Sequence, residues 1–387
     1  MKSYRYFSIG CWILLLFVGN PALGQVSLLT PSAPTLSAKT YILEDFTTGQ
    51  VLVESQSNSR IEPASITKLM TSYVVFSELK RGNIHLEDEV LISENAWRTG
   101  GSRTFIEVNT RVPVEILVKG MIIQSGNDAS VALAEQIGGT EEVFVALMNQ
   151  QAQRLGMLDS HFENSTGLPS QNHYMTARDI AVLARAIIQD FPEYYPWYSE
   201  QKFTYNNINQ YNRDTLLKRD PSVDGLKTGY TKAAGYCLVS SAKRNGMRLI
   251  SVVMGAASPN IRENEALTLL NYGFRFYDTR GLYTAKAPVI DVRVWQGVEK
   301  KLSLGLANDL SMTLPRGQWK ELSSTIQVED PITAPIAKGA KLGAVVIKLG
   351  EKAVLKEPLI ALTTIPEGSW WQRMNDWVLS FFNKESP

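Results

Sequence analysis

Two β-rich runs, residues 236–243 and 247–255, are joined across Arg244-Asn245-Gly246. Asn-Gly suits a tight hairpin turn because both residues tolerate the positive φ that such a loop demands. This commits the region to antiparallel pairing. An earlier hairpin is expected where Tyr41-Ile42-Leu43-Glu44 and Val51-Leu52-Val53-Glu54 flank a turn containing Thr47, Thr48 and Gly49. Between the hairpins the signals are helical. Helices are expected from Ser65 to about Lys80, ending at Gly82, from Val112 to Gln124, and from Ala129 to Ile137. Another follows the capping box Thr176-Ala177-Arg178-Asp179 as far as Gln189, and a last one runs from Arg262 to Tyr277. The segment from His161 to Tyr174 is turn-rich. Strands early and late with helices between give an α+β domain, placed at residues 39–283.

Beyond it the pattern changes. Short alternating runs at 289–295, 310–314, 344–349 and 359–363 are separated by Gly and Pro turns, which reads as a small all-β domain over 284–366. In the tail, 367–387, Trp370, Trp371, Met374, Trp377, Val378, Phe381 and Phe382 recur at helical spacing. Gln372, Arg373, Asn375, Asp376 and Asn383 occupy much of the opposite face. Those polar residues exclude a membrane span, and Trp and Phe suit a bilayer interface, so residues 368–384 are expected to attach the chain to a membrane surface. The competing readings are a helix docked on its own domain and a dimer contact.

At the other end, Lys2 and Arg5 precede the apolar run Cys11 to Val18, and small residues follow at Ala22-Leu23-Gly24. The run is shorter than the roughly 20 residues of a spanning helix, so residues 1–24 are read as a secretory signal peptide rather than an anchor. Residues 25–38, rich in Ser, Pro, Thr and Leu, read as a leader or linker. Cleavage would remove two bases and no acid, leaving 37 basic and 38 acidic side chains. A net charge of −1 argues against nucleic acid as a partner. Only Cys237 would remain, so no internal disulfide can form and the core alone must hold the fold. Cys237 itself reads as a core residue. His85, His161 and His173 show no metal-ligand spacing, and no metal or cofactor is expected. A Ser-His-Asp triad stays open, although no Gly-x-Ser-x-Gly elbow supports one.

Three short strings carry the chemistry: Ser65-Ile66-Thr67-Lys68, Ser125-Gly126-Asn127 and Lys227-Thr228-Gly229. Ser-x-x-Lys alone is weak, since it recurs at Ser77, Ser199 and Ser240. Ser65, however, opens a helix after Pro63-Ala64, and residues three apart share a helical face, so Lys68 can reach its hydroxyl. A serine needs a base to become a nucleophile, and a lysine serves if burial or a second cation destabilises its ammonium. Lys227 is the candidate second cation. In the third string Lys227 and Thr228 offer a charge and a hydroxyl to an anionic substrate, and Gly229, without a Cβ, lets a substrate backbone approach. Ser125 and Asn127 could supply a hydroxyl for proton relay and an amide for a substrate carbonyl. Standing alone, that string would be an ordinary helix N-cap.

In this order, with separations of 60 and 102 residues, the strings are specific. The chain resembles the serine penicillin-recognising enzymes, and among them the low-molecular-mass penicillin-binding proteins that act as D-alanyl-D-alanine carboxypeptidases. The supporting strings are Glu62 to Met70, Ile123 to Ala129, Asp224 to Thr231 and Gly273 to Tyr277. The resemblance implies a transpeptidase-like α+β fold with a helical subdomain, then a small all-β domain and an amphipathic helix. It implies an acyl-enzyme at Ser65, Lys68 as base, and Ser125 with Lys227 passing the proton to the leaving amine. It further implies that Asn127 holds the substrate amide and that Thr228 and Arg262 bind the terminal carboxylate. The Ser65 and Tyr230 N–H groups would form the oxyanion hole. Implied partners are peptidoglycan stem peptides ending in D-Ala-D-Ala and β-lactam antibiotics. The implied setting is peptidoglycan maturation and cell-shape maintenance at the periplasmic face of the inner membrane. Some relatives carry His at the positions of Tyr230 and Thr166, a departure that bears on substrate preference. A β-lactamase, a DD-endopeptidase and a silent envelope-binding module are the alternatives. No Glu-x-x-Leu-Asn string between the second and third motifs supports the first of these.

Overall fold

The computed structural model describes residues 31–382; the signal-peptide segment lies outside them. A five-stranded antiparallel sheet organises the first domain, in the order Val51–Ser55, Thr40–Asp45, Met247–Ala256, Gly235–Arg244, Val223–Thr231. Both expected hairpins form. Arg244 pairs with Met247, and Asn245 and Gly246 take φ of 50° and 85°, the positive pair the tight turn needs. The sheet is buried on both sides. Cys237, Val239, Ile250 and Val252 join one core, and Leu238, Leu249 and Val253 the other. Double burial explains why these runs read as almost continuously apolar rather than alternating.

Helix Pro259–Phe276 packs on the second core's face. It starts three residues before the expected Arg262, because Ser258 caps Ile261 N and Pro259 occupies the first turn. On the other face Ala177–Asp190 joins a cluster of helices around Lys68–Arg81, namely Val114–Ile123, Asn127–Gly138 and Glu141–Arg154. The first of these begins at 114, not 112, because Arg111–Pro113 pairs as a strand with Glu89–Leu91. Glu141–Arg154, capped by Thr140, and the small hairpin Lys202–Tyr205/Ile208–Tyr211 were not read from the sequence.

Tyr277 begins a strand, Tyr277–Tyr283, which pairs with Leu310–Pro315. A second five-stranded antiparallel sheet follows in the order Pro288–Arg293, Lys301–Gly305, Lys352–Ala361, Lys341–Leu349, Leu322–Val328. It has its own core, including Val294, Leu304, Val345 and Leu359. Asp45, on the first sheet, accepts from Thr279 Oγ1 at 2.7 Å, and Thr48 in the following turn meets Thr313 at 2.8 Å, joining the first domain to the two-stranded pair Tyr277–Tyr283/Leu310–Pro315.

The tail helix Trp370–Phe382 lies against this β domain by its polar side. Asp376, 2% exposed, accepts from Gln296 N at 2.6 Å and Lys300 Nζ at 2.5 Å. Trp370, Trp371, Met374, Trp377 and Val378 remain exposed, Trp371 by 69%. Docking on the chain's own domain and an outward apolar face, rivals in the sequence, coexist in one helix. No described helix is long and apolar enough to cross a membrane.

One loop decides the placement of the first helix. Gly167 has φ +85°, and a Cβ there would fall 1.8 Å from Ala64 O and 2.8 Å from Thr67 Oγ1. Gly156 has a similar φ of +77° but open space around it. Gly156→Ala therefore costs backbone strain alone, about 1–2 kcal/mol, whereas Gly167→Ala adds a backbone clash. Thermal melts followed by circular dichroism should show Gly167→Ala lowering Tm by roughly 5 °C or more and clearly more than Gly156→Ala. Equal shifts would contradict this account of the loop.

Candidate active site

Ser65 lies in a short 3₁₀ turn, Ala64–Thr67, that runs directly into helix Lys68–Arg81. In a 3₁₀ turn residues i and i+3 nearly eclipse. Lys68 Nζ accordingly sits 3.3 Å from Ser65 Oγ. Lys68 is only 1% exposed, and its ammonium is held by Asn127 Oδ1 and by the Thr166 carbonyl, each at 2.6 Å. Thr71 Oγ1 donates to Ser165 O at 2.6 Å, tying the helix to the same loop.

The second string supplies the N-cap residue of Asn127–Gly138, Gly126, which has no side chain to make a cap bond. Ser125, at φ 65°, turns its hydroxyl to Lys227 Nζ at 2.9 Å. A left-handed non-glycine residue of this kind is uncommon and costs energy that its surroundings must supply. The Asn127 amide spans Lys68 Nζ and Gly100 O, the latter at 2.7 Å. Asp128 accepts from Thr104 N at 2.8 Å and Phe105 N at 2.9 Å, fixing the lip of the cleft.

Lys227, Thr228, Gly229 and Tyr230 lie on the edge strand of the sheet, beside the Ser65 turn. Lys227 Nζ also reaches its neighbour's carbonyl, Thr228 O, at 2.9 Å. At Gly229 a Cβ would meet Pro63 O at 3.2 Å and Ala64 Cβ at 3.3 Å. The approach this glycine permits is thus of the strand to the nucleophile turn, rather than of a substrate backbone to the strand. Half-exposed Tyr230 stacks on Tyr236 at 4.3 Å, and the Arg262 guanidinium lies 5.8 Å from the Tyr236 ring.

One cleft of about 530 Å³ is lined among others by Ser65, Ser125, Thr228, Gly229, Tyr230 and Arg262, while Lys68, Asn127 and Lys227 are buried and not part of its lining. Arg262 is buried, and its Nε has no hydrogen-bond partner among the described residues. The lining also includes Arg213, Thr215 and Glu263, with Asp214 buried behind them, and these were not singled out from the sequence. They follow the small hairpin in a polar run, Asn212 to Thr215, or sit beside Arg262, and no spacing marks them. The three histidines stay away from Ser65. His173 bonds Thr67 Oγ1 at 2.9 Å and accepts from Glu163 N, while His85 is exposed and His161 meets Asn172 O. The triad alternative is thereby closed.

Burial pushes the Lys68 amine down to about 7, with the Asp128 carboxylate opposing and Arg213 adding to the fall. Arg213 is thus a destabilising cation the sequence had not suggested, and it acts beside Lys227, whose charge and that of Lys68 oppose each other. Lys227 is itself driven well below the ordinary lysine range, first by burial and then by Lys68, Arg213 and Arg262, against Asp214. Two amines confined in one desolvated site cannot both stay charged without cost.

Set against known proteins, residues 28–258 match the peptidase S11 family, D-alanyl-D-alanine carboxypeptidase, and residues 277–367 match the penicillin-binding protein 5 C-terminal domain. D-alanyl-D-alanine carboxypeptidase DacC of Escherichia coli is 42% identical, over 92% of this chain and 91% of its own. DacA of the same organism is 38% identical over 93% and 91%. Penicillin-binding protein 5 from Haemophilus influenzae superposes with a TM-score of 0.83 at 41% identity, over 87% of this chain and 100% of that one. Penicillin-binding protein D2 from Listeria monocytogenes, solved in an ampicillin-bound form, superposes at 0.59 and 27% identity, over 63% of this chain and 100% of that one. With a penicillin-binding fold, a serine beside a destabilised lysine and relatives alike over nearly their full length, this chain belongs to the peptidase S11 D-alanyl-D-alanine carboxypeptidase family.

Proposed function

We propose that the chain is a serine carboxypeptidase removing the terminal D-alanine from peptidoglycan stem peptides. The observation that carries this reading is the buried Lys68 Nζ, 3.3 Å from Ser65 Oγ, with its amine brought down to about 7. Ser65 Oγ attacks the carbonyl carbon of the penultimate D-alanine while neutral Lys68 takes its proton. The C–N bond then breaks, the electron pair goes to the departing nitrogen, and a proton reaches it through Ser125 Oγ, backed by Lys227 at 2.9 Å. D-Alanine leaves, and an ester remains on Ser65. Water attacks the ester with Lys68 again as base, releasing the shortened peptide.

The rest of the cleft orients the substrate. Asn127 spends one Nδ2 hydrogen on Gly100 O and offers the other to a substrate amide carbonyl. Among the described residues the edge strand has no partner strand on its open side, so an extended peptide can lie along it. The Ser65 and Tyr230 N–H groups receive the oxyanion. Thr228 and the unpaired Nε of buried Arg262 meet the terminal carboxylate. A penicillin, whose strained amide resembles the acyl-D-Ala-D-Ala end, acylates the same serine. The exposed Trp and Met face of Trp370–Phe382 holds the exported enzyme to the membrane surface next to its substrate.

Intact-mass measurement should show one penicillin adduct on the wild type and none on Ser65→Ala; an adduct surviving that change would move the nucleophile elsewhere. Because the base form of Lys68 grows as pH rises through about 7, the acylation rate should climb about tenfold per pH unit below that value and level above it. A flat profile from pH 5 to 9 would remove Lys68 from the role of base.

A peptide ending in free D-Ala-D-Ala should be cleaved far faster than its amide. Leaving desolvated cationic groups unpaired costs roughly 2–5 kcal/mol, about 30-fold or more in kcat/KM. Arg262→Ala should shrink that preference while leaving Ser65 able to acylate. Equal rates on the wild type would favour the endopeptidase reading. Deleting residues 368–384 should release active enzyme from membranes, and continued co-sedimentation with vesicles would assign attachment to another surface.

A further inference from the structure

Asp214 stands between two residues that line the cleft, Arg213 and Thr215, with its own side chain turned inward and only 2% exposed. One oxygen has a structural task. Asp214 Oδ1 accepts from Leu216 N at 3.0 Å, capping the short turn Leu216–Arg219. The other, Oδ2, is buried with no hydrogen-bond partner among the described residues. A cap needs one acceptor and no charge, so an asparagine would serve equally well. The second oxygen and the negative charge exceed what the turn requires, and an unsatisfied buried carboxylate oxygen calls for a reason.

The surroundings supply one. Helix Pro259–Phe276 presents Arg262 and Glu263 to this point, and the edge strand presents Lys227. Glu263 is already engaged, by Thr215 Oγ1 and by Arg219 at 3.1 Å. Arg262 is not, since its buried Nε is an orphan like Asp214 Oδ2. A cationic group lining the cleft and an anionic group buried behind that lining thus lie within electrostatic reach of each other, each with an atom that has no hydrogen-bond partner among the described residues.

We propose that Asp214 is a positioning residue that sets how strongly Arg262 holds a substrate's free carboxylate, weakening that hold when ionised and strengthening it when protonated. The proposal rests on the reading of Arg262 as the carboxylate-binding group. A substrate carboxylate arriving at Arg262 is a second anion sharing one guanidinium with Asp214, in a site with little water to screen them. Binding of the acid therefore favours protonation of Asp214, and by reciprocity protonation of Asp214 favours binding of the acid. Burial raises the Asp214 carboxyl to about 6, with Glu263 adding to the rise and the Leu216 N–H, Arg262 and Lys227 opposing it. The exchange thus falls in a range the enzyme meets. An amide-ended substrate brings no second anion and takes no part in it.

The test is KM and kcat from pH 5 to 8 for a D-Ala-D-Ala peptide and its amide, on the wild type and on Asp214→Asn, which keeps the cap. On the wild type, KM for the acid should rise roughly tenfold as pH climbs through about 6, while KM for the amide stays level. Asp214→Asn should hold the acid's KM at its low-pH value throughout, with kcat for both substrates near wild type and an unchanged Tm. A change in kcat shared by both substrates would instead place Asp214 in the Lys227 proton path and overturn the proposal. A wild-type acid preference independent of pH would also overturn it while leaving the carboxylate-clamp reading standing. The absence of any acid preference would sink the clamp, and this proposal with it. A wild-type profile in which KM for the acid does not change with pH overturns the proposal even if the variant does not fold.

Discussion

Burying one ammonium, that of Lys68, is the constraint on which the rest of the catalytic domain turns. An amine taken out of water loses solvation worth several kcal/mol, and the loss is tolerable only if acceptors are held around it. Here they come from three separate stretches of chain: Ser65 in its own turn, Asn127 at the start of a helix, and the Thr166 carbonyl in a loop. None of the three could be displaced without leaving a buried donor unpaired. The same desolvation that makes the site costly makes the amine a usable base near neutrality.

Keeping those stretches together explains several residues that never touch the nucleophile. Gly167 lets its loop pass against the Ala64 carbonyl, and Gly126 lets the second string pass Thr104, where a Cβ would fall 2.0 Å from Oγ1. The Asp128 carboxylate gathers the Thr104 and Phe105 N–H groups, closing the lip, while its charge restrains how far Lys68 falls. The edge position of Val223–Thr231 leaves backbone open toward the cleft, and Gly229 brings that strand onto the serine turn. The β domain has its own core, and its Gln296 N–H and Lys300 donate to Asp376, a buried acid of the tail helix.

Much of this was legible in the residues. Local signals carried the two hairpins, the helix that follows Ser65, the capping box at Thr176 and the amphipathic tail, because each depends on spacing within a few residues. Errors came where neighbours in space intervened. The helix expected from Val112 yields its first residues to a strand pairing with Glu89–Leu91. The Ser258-Pro259 start of the last large helix was passed over in favour of Arg262. Helix Glu141–Arg154 carried its Thr140 cap and first-turn acids in plain view and was overlooked.

For the site, the residue types and their order point to Ser65 as nucleophile and Lys68 as base, and the family resemblance they carry implies the relay and anion-binding roles. What the sequence could not assign is that Arg213 joins in depressing Lys68, what Gly229 approaches, or that Asp214 and Arg262 are buried within each other's electrostatic reach with unused atoms. Those properties belong to side chains far apart along the chain. Desolvation and charge coupling depend on what surrounds a group in three dimensions, and only the folded packing of sheet, helices and loops determines that.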